Sequence, residues 1–143
     1  TANQIKSAKD LGQNLSVLTE GKEGAKYGAT SMHDITEGGI YGGLYEVCQS
    51  AKVGSIIEKN LIPILDETKA ICEHFNLNPY RLISSGSMLI TIKDPEELIK
   101  SLKDRGVLAT VIGKITDNGI YAVIDGKQNE ILSPMPDELF KLV

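Results

Sequence analysis

Cysteine is scarce in this chain, with only Cys48 and Cys72 in 143 residues, and they show neither CxxC spacing nor a histidine cluster. That pattern excludes a disulfide framework and a zinc cluster, and leads us to expect two buried thiols in a reducing, cytoplasmic setting. Excess base is lacking too. Fifteen Lys and Arg stand against 19 Asp and Glu, a net charge of −4 with no basic stripe, which argues against a nucleic-acid partner. No apolar run approaches the roughly 20 residues that span a bilayer. No basic-then-apolar leader opens the chain, so no membrane partner is expected. Repeats, low-complexity stretches, linkers and a Gly-Lys-Ser/Thr phosphate loop are all absent. What is there is an ordinary balance, 41% apolar and 24% charged, in a length that buries one core. Residues 1–143 therefore read as a single domain. The chain opens TANQIK without an initiator Met and is helical in pattern almost at once, so an excised piece of a longer protein is expected.

Hydrophobic periodicity supplies the elements. Asn3 to Leu11 predicts a short helix ended by Gly12, and Ser16 caps a second helix that Gly28 stops. Ala29 to His33 reads as a strand. Ile40, Leu44, Val47 and Cys48 recur at helical spacing within a helix from Glu37 to Ala51. Val53 to Glu58 is a strand, and Asp66 to Phe75 a helix with Ile71, Cys72 and Phe75 on its apolar side, ended by Asn76-Leu77-Asn78-Pro79. Ser87 to Lys93 alternates as a strand. Asp94 caps a helix from Pro95 to Arg105, with Leu98, Ile99 and Leu102 inward. The period then becomes two. Leu108 to Thr116, Ile120 to Ile124 and Glu130 to Leu132 read as consecutive antiparallel strands with turns at Asn118-Gly119 and Asp125-Gly126. Pro136 to Leu142 closes the chain with a helical turn. The fold class is α+β, a layered mixed β-sheet with packed helices.

The chemistry concentrates in SMHDITEGGIYGGLYEV, residues 31 to 47. Asp34 and Thr36 are two apart at a strand end and project from one face. Thr36 stands where an N-cap belongs, with Gly38 and Gly39 in the first helical turn, each costing about 1 kcal/mol relative to Ala. Bare amides at the positive end of a helix would admit a phosphate, and Asp34 and Glu37 on the rim could hold Mg²⁺. A plainer reading competes: Asp, Thr and Gly cap many strand-to-helix turns, and Gly38/Gly42 and Gly39/Gly43 can simply let the helix pack close against the sheet.

The stretch MHDITEGGIYGGLYEV resembles the C-terminal domain of the aminoimidazole ribonucleotide synthase superfamily. The similarity continues through IPILDETKAICEHFNLNPYRLISSGSMLITI and into VIGKIT, so it covers about Ser16 to Leu132. It is nearest the hydrogenase-maturation branch and related uncharacterised members. The resemblance implies half of a two-domain enzyme that uses ATP and Mg²⁺, dimerises through a missing N-terminal domain with a second subunit, and activates a small-molecule or peptide acceptor. It implies a metal role for Asp34 and a phosphate contact for Thr36. At Glu37 a metal role is implied only in the kinase branch. Hydrogenase-maturation relatives carry a reacting Cys on a C-terminal tail, whereas here DELFKLV follows with no Cys after Cys72. The expected reaction is therefore phosphoryl transfer to an acceptor other than that tail.

Ile83 to Met88 is a small-residue loop where Ser84, Ser85 and Gly86 would meet substrate or merely turn the chain. His33 beside Asp34 could move a proton, or be a hydrogen-bonded strand-end residue. His74 reads as a favourable charge at a helix C-terminus. Two function classes stand: half of an ATP-dependent enzyme, or a non-catalytic ligand-binding or interaction module that keeps the fold. For the enzyme, an apolar patch beside Asp34 is expected where the missing domain would dock.

Overall fold

The computed structural model describes residues 2–131 and 136–142. Five α-helices appear in it: α1 Ala2–Asp10, α2 Leu18–Lys26, α3 Gly39–Ala51, α4 Asp66–Phe75 and α5 Glu96–Asp104. Six strands accompany them: β1 Ser31–Ile35, β2 Gly54–Glu58, β3 Ser87–Thr91, β4 Gly113–Thr116, β5 Ile120–Ile124 and β6 Lys127–Glu130. The α+β expectation holds, with mixed sheets and packed helices.

Helix endings follow local chemistry closely. In α2 to α5 the N–H five residues beyond a carbonyl in the last turn returns to it: Ala29 to Gly24, Val53 to Cys48, Leu77 to Cys72 and Val107 to Leu102. Each closure passes through one left-handed residue, Gly28, Lys52, Asn76 or Gly106, and satisfies a carbonyl the helix leaves unpaired. At the N-termini the sequence reading was less accurate. Ser16 lies one position before the Val17 cap and takes the Leu18 N–H at 3.4 Å. Pro95, not Asp94, caps α5.

α3 is the centre of the molecule, and its apolar stripe explains why. Tyr41, Leu44 and Cys48 are buried with Ile57 of β2, Ile120 and Ala122 of β5, and Ile131 just past β6. α3 also packs on β1 and β3, which form a two-stranded antiparallel sheet with Asp34 opposite Met88 and Ile35 opposite Ser87, and Leu89 of β3 reaches the same core. Burying a Leu such as Leu44 stabilises the fold by about 2 kcal/mol.

The second sheet corrects the expected run of antiparallel strands. Its order is β4-β2-β5-β6, with β2 antiparallel to β4 but parallel to β5. β2 thus sits between the two strands that were read as a hairpin. The reason is partly local: a side chain at Gly54 would run into the Asn118 backbone, so glycine lets β2 pass under that turn, and Ser55 N–H bonds Gly119 O at 2.8 Å. Ile57 is buried against α3 beside Ile120 and Ala122, which holds β2 next to β5. The Asp125-Gly126 turn does close a hairpin, β5 with β6, both residues having positive φ. Ile131 continues that ladder to Ile120 O, and Leu132, the last residue of the expected strand, lies outside the described residues.

Other corrections concern exposure and length. The strand expected from Leu108 begins only at Gly113, and Leu108 and Val111 are exposed. The strand read as Ala29 to His33 runs from Ser31 to Ile35. On α4 only Cys72 is buried, while Ile71 and Phe75 face outward, because a narrow stripe of the helix meets α1 and the Pro79–Arg81 turn. Both cysteines are buried and free.

Candidate functional site

β1 carries two faces with different chemistry. Met32 and Asp34 are exposed on one, and His33 and Ile35 turn toward α3 on the other. His33 Nε2 meets Glu46 Oε2 at 2.8 Å, and a side chain at Gly43 would press on the imidazole. The imidazole therefore ties β1 to α3 on the face opposite Asp34.

Beyond Ile35 the chain makes the turn that opens α3. Thr36 is not the N-cap; Gly38 is, at φ 77° and ψ 0°. Instead Thr36 O receives the Gly39 N–H at 3.2 Å and the Ser84 N–H at 3.4 Å. Ser84 O in turn receives the Ser87 N–H at 3.1 Å, with Gly86 left-handed between them. The Thr36–Gly39 turn and the Ser84–Gly86 loop thus meet at one end of the β1–β3 sheet, with the Asp34 and Glu37 side chains exposed there.

Close packing, the plainer reading of the glycines, holds at Gly43, which lies against His33 and Ile35 of β1; at Gly39 the close neighbour is a loop. Gly39 has φ 60°, and a Cβ there would stand 2.7 Å from Leu82 O and 2.8 Å from Tyr80 O. No side chain fits. The expected bare amides are engaged as well: Gly39 N–H by Thr36, and Gly38 N–H by Asp137 Oδ2 at 2.6 Å. Asp137 is buried, and its other oxygen caps Leu139 N–H at 2.8 Å, starting the short turn Glu138–Lys141. Glu138 is also buried; it accepts from Asn78 N–H at 3.0 Å and from Lys141 Nζ at 2.6 Å. The Lys141 hydrogen bond holds the Glu138 carboxyl below the usual carboxylate range, although burial pulls it upward; the Asn78 amide and the Lys141 and Arg81 charges add to the lowering.

Below the turn lies an aromatic and cationic stack. Tyr41 of α3 stacks on Tyr80 with centroids 5.4 Å apart, Lys59 Nζ lies over Tyr80 and Arg81 over Tyr41. Burial, with Tyr80 next to it, raises the Tyr41 phenol. Sequence reasoning missed this stack and both acids of the closing turn. Asp137 before Glu-Leu-Phe does carry a cap signature, but nothing local points to a contact 99 residues away.

Among the described residues no three His, Cys, Asp or Glu side chains gather as a metal cage. Asp34 and Glu37 offer at most two carboxylates. That suits a Mg²⁺ completed by phosphate oxygens and water and does not suit an all-protein site. On the outward face of β1, an open apolar concavity of about 640 Å³ is lined by Val17, Leu18, Ala25 and Met32, among others. Met32 is two residues from Asp34 on the same face of β1.

The family described as AIR synthase related protein, C-terminal domain, matches residues 2–126. The chain belongs to this family. "Carbamoyl dehydratase HypE" of Rhodobacter capsulatus is 29% identical over 91 residues, which cover 61% of this chain and 27% of that protein. The solved structure of E. coli HypE superposes with a TM-score of 0.73 at 20% identity, covering 87% of this chain and 42% of that one. HypE in complex with ATP gives 0.68 at 16% identity, over 77% and 37% respectively. The chain therefore spans well under half the length of these relatives. In this AIR synthase C-terminal domain the matched region takes in all five helices, the Thr36–Gly39 turn and the Ser84–Gly86 loop. The acidic closing turn lies beyond it.

Proposed function

We propose that this domain is the C-terminal half of an ATP-dependent enzyme that activates a small acceptor by phosphoryl transfer, with the β1–α3 turn at the phosphate end of the nucleotide. The observation that carries this reading is the convergence of two small-residue loops, Thr36–Gly39 and Ser84–Gly86, beside the exposed Asp34 and Glu37 carboxylates. Family membership supports it, since a relative in the same fold is an ATP complex. A Mg²⁺ held at these carboxylates would supply charge neutralisation for phosphoryl transfer. Asp34, with Glu37 as a second carboxylate, would hold the metal; the Thr36 hydroxyl and the Gly38 amide, once Asp137 leaves it, face the phosphates, while Gly39, its N–H bonded to Thr36 O, keeps the turn in shape; Ser84, Ser85 and Gly86 line the acceptor side. His33, bonded to Glu46, positions β1 rather than touching substrate. The apolar concavity next to Met32 receives the N-terminal domain, and a second subunit completes the enzyme.

A second reading has its own support. The Gly38 amide is already bonded to Asp137, as it would be in a module that keeps the fold without the chemistry. Titration of Mg·ATP by calorimetry, with Asp34→Asn beside the parent, separates the two. In a protein that carries both domains, Asp34→Asn should weaken Mg·ATP binding by tenfold or more, on the order of 1.4 kcal/mol. Because Asp34 is exposed, stability should change by no more than about 0.5 kcal/mol. Unchanged affinity would remove Asp34 from the metal site and favour the module.

A further inference from the structure

The closing turn reverses the usual order of burial. Its acids, Asp137 and Glu138, are each 5% exposed, while Leu139, Phe140 and Leu142 are 41%, 61% and 43% exposed. A segment docked for stability alone would bury the Leu and Phe side chains and leave the carboxylates in water. Here the contact is made by charge. Asp137 Oδ2 sits on Gly38 N–H at 2.6 Å, and Glu138 on Asn78 N–H at 3.0 Å. Those amides belong to the two segments that meet at Gly39, the α3 start and the Asn78–Leu82 stretch. A single N–H at a helix start cannot serve a carboxylate and a phosphate together, and the two anions repel at that distance.

We propose that the Asp137–Glu138 turn is an acidic latch, which holds the phosphate end of α3 closed with its own carboxylate and is displaced when a polyphosphate binds. This rests on the reading of the β1–α3 turn as the phosphate site. Binding moves Asp137 off Gly38 N–H and puts a phosphate oxygen in its place. Release also frees Leu139, Phe140 and Leu142, so nucleotide occupancy controls where an apolar peptide segment lies. Latching lowers the apparent affinity for nucleotide by the fraction of time that the amide is covered.

The test uses ATP with Mg²⁺ as the probe, followed by amide NMR and calorimetry on the chain and on two variants. Asp137→Ala should bind ATP about tenfold tighter than the parent, the range set by one competing charge-assisted hydrogen bond. Glu138→Gln, which loosens the turn without touching Gly38, should bind tighter by a smaller factor. In the parent, ATP should speed hydrogen exchange at Leu139 and Asn78, the amides that the two acids cover. Should Asp137→Ala fail to fold, Glu138→Gln and the exchange measurement decide. Equal affinity in all three proteins, with exchange at Leu139 and Asn78 unmoved by saturating ATP, would overturn the latch and leave the phosphate reading intact. Binding by none of them, at about ten times the millimolar Kd expected for an isolated half-site, would overturn both.

Discussion

At Gly39 two demands coincide, a positive φ and a backbone packed against the Tyr80 and Leu82 carbonyls. Either alone favours glycine, and the sequence showed neither, because the close approach comes from Tyr80 and Leu82, far downstream in the chain. The competition between anion access and close packing therefore resolves toward packing as the reason for this residue, though against a loop rather than the sheet. Gly39→Ala should lose about 2 kcal/mol or more in urea denaturation, from left-handed strain plus the clash. A stability loss below about 0.5 kcal/mol together with lost ATP binding would reinstate access as its main role. The neighbouring side chains divide by face. Asp34 is exposed and stays a ligand candidate, whereas His33 is taken by Glu46, a partner 13 residues away that helix periodicity alone did not single out.

Among elements, α2 and α5 are joined by one acid. Glu23 is buried and accepts from Ser101 Oγ at 2.6 Å, with Arg105 at 3.0 Å and Lys26 at 3.6 Å. The Ser101 hydrogen bond is the main cause of its lowered pKa; burial opposes the shift, and Arg105 and Lys26 assist it. A carboxyl depressed in the folded state adds stability above its unfolded value, near 4.3, and loses it as pH falls through the lower folded value. Glu23→Gln should therefore melt lower than the parent at pH 7, and the gap should close as the pH is brought below about 4. Thermal melts across that range check it; a gap constant from pH 7 to 3 would show that shape, not charge, joins the helices. Elements of this kind were legible to different degrees. Apolar spacing located α3 and α4 to within a residue or two, and Asn76 marked a helix end, since these signals are local. The β4–β5 pairing was not legible. A turn signal reports that the chain reverses, while the strand that fills the gap depends on the core that Ile57 shares with α3 and β5 and on the room that Gly54 leaves under the Asn118 turn.

For the whole molecule, the family and the layered fold were readable because the Asp-x-Thr-x-Gly-Gly segment, the Leu-Asn-Pro turn and the Ser/Gly loop occur in order, and the structure brings the first and third together. The closing turn was readable as a turn but not as a partner of Gly38, because a contact spanning 99 residues leaves no periodic trace. That contact bears on what the domain does alone. Phosphoryl transfer needs metal and neutralising groups on both sides of the phosphates. Among the described residues this side offers Asp34, Glu37 and a helix start whose first amide is already occupied, and no cage of three ligands. The chain by itself should fold, since local propensity, caps and burial agree along it. It should bind Mg·ATP weakly, near the millimolar range that corresponds to about −4 kcal/mol. Phosphate release from Mg·ATP by residues 1–143 should stay at background, and Asp34→Asn should leave that background unchanged. Adding the N-terminal domain should restore turnover by supplying the opposite wall of the cleft. Turnover by the chain alone that disappears in Asp34→Asn would mean that one wall suffices, and the half-site assignment would fall.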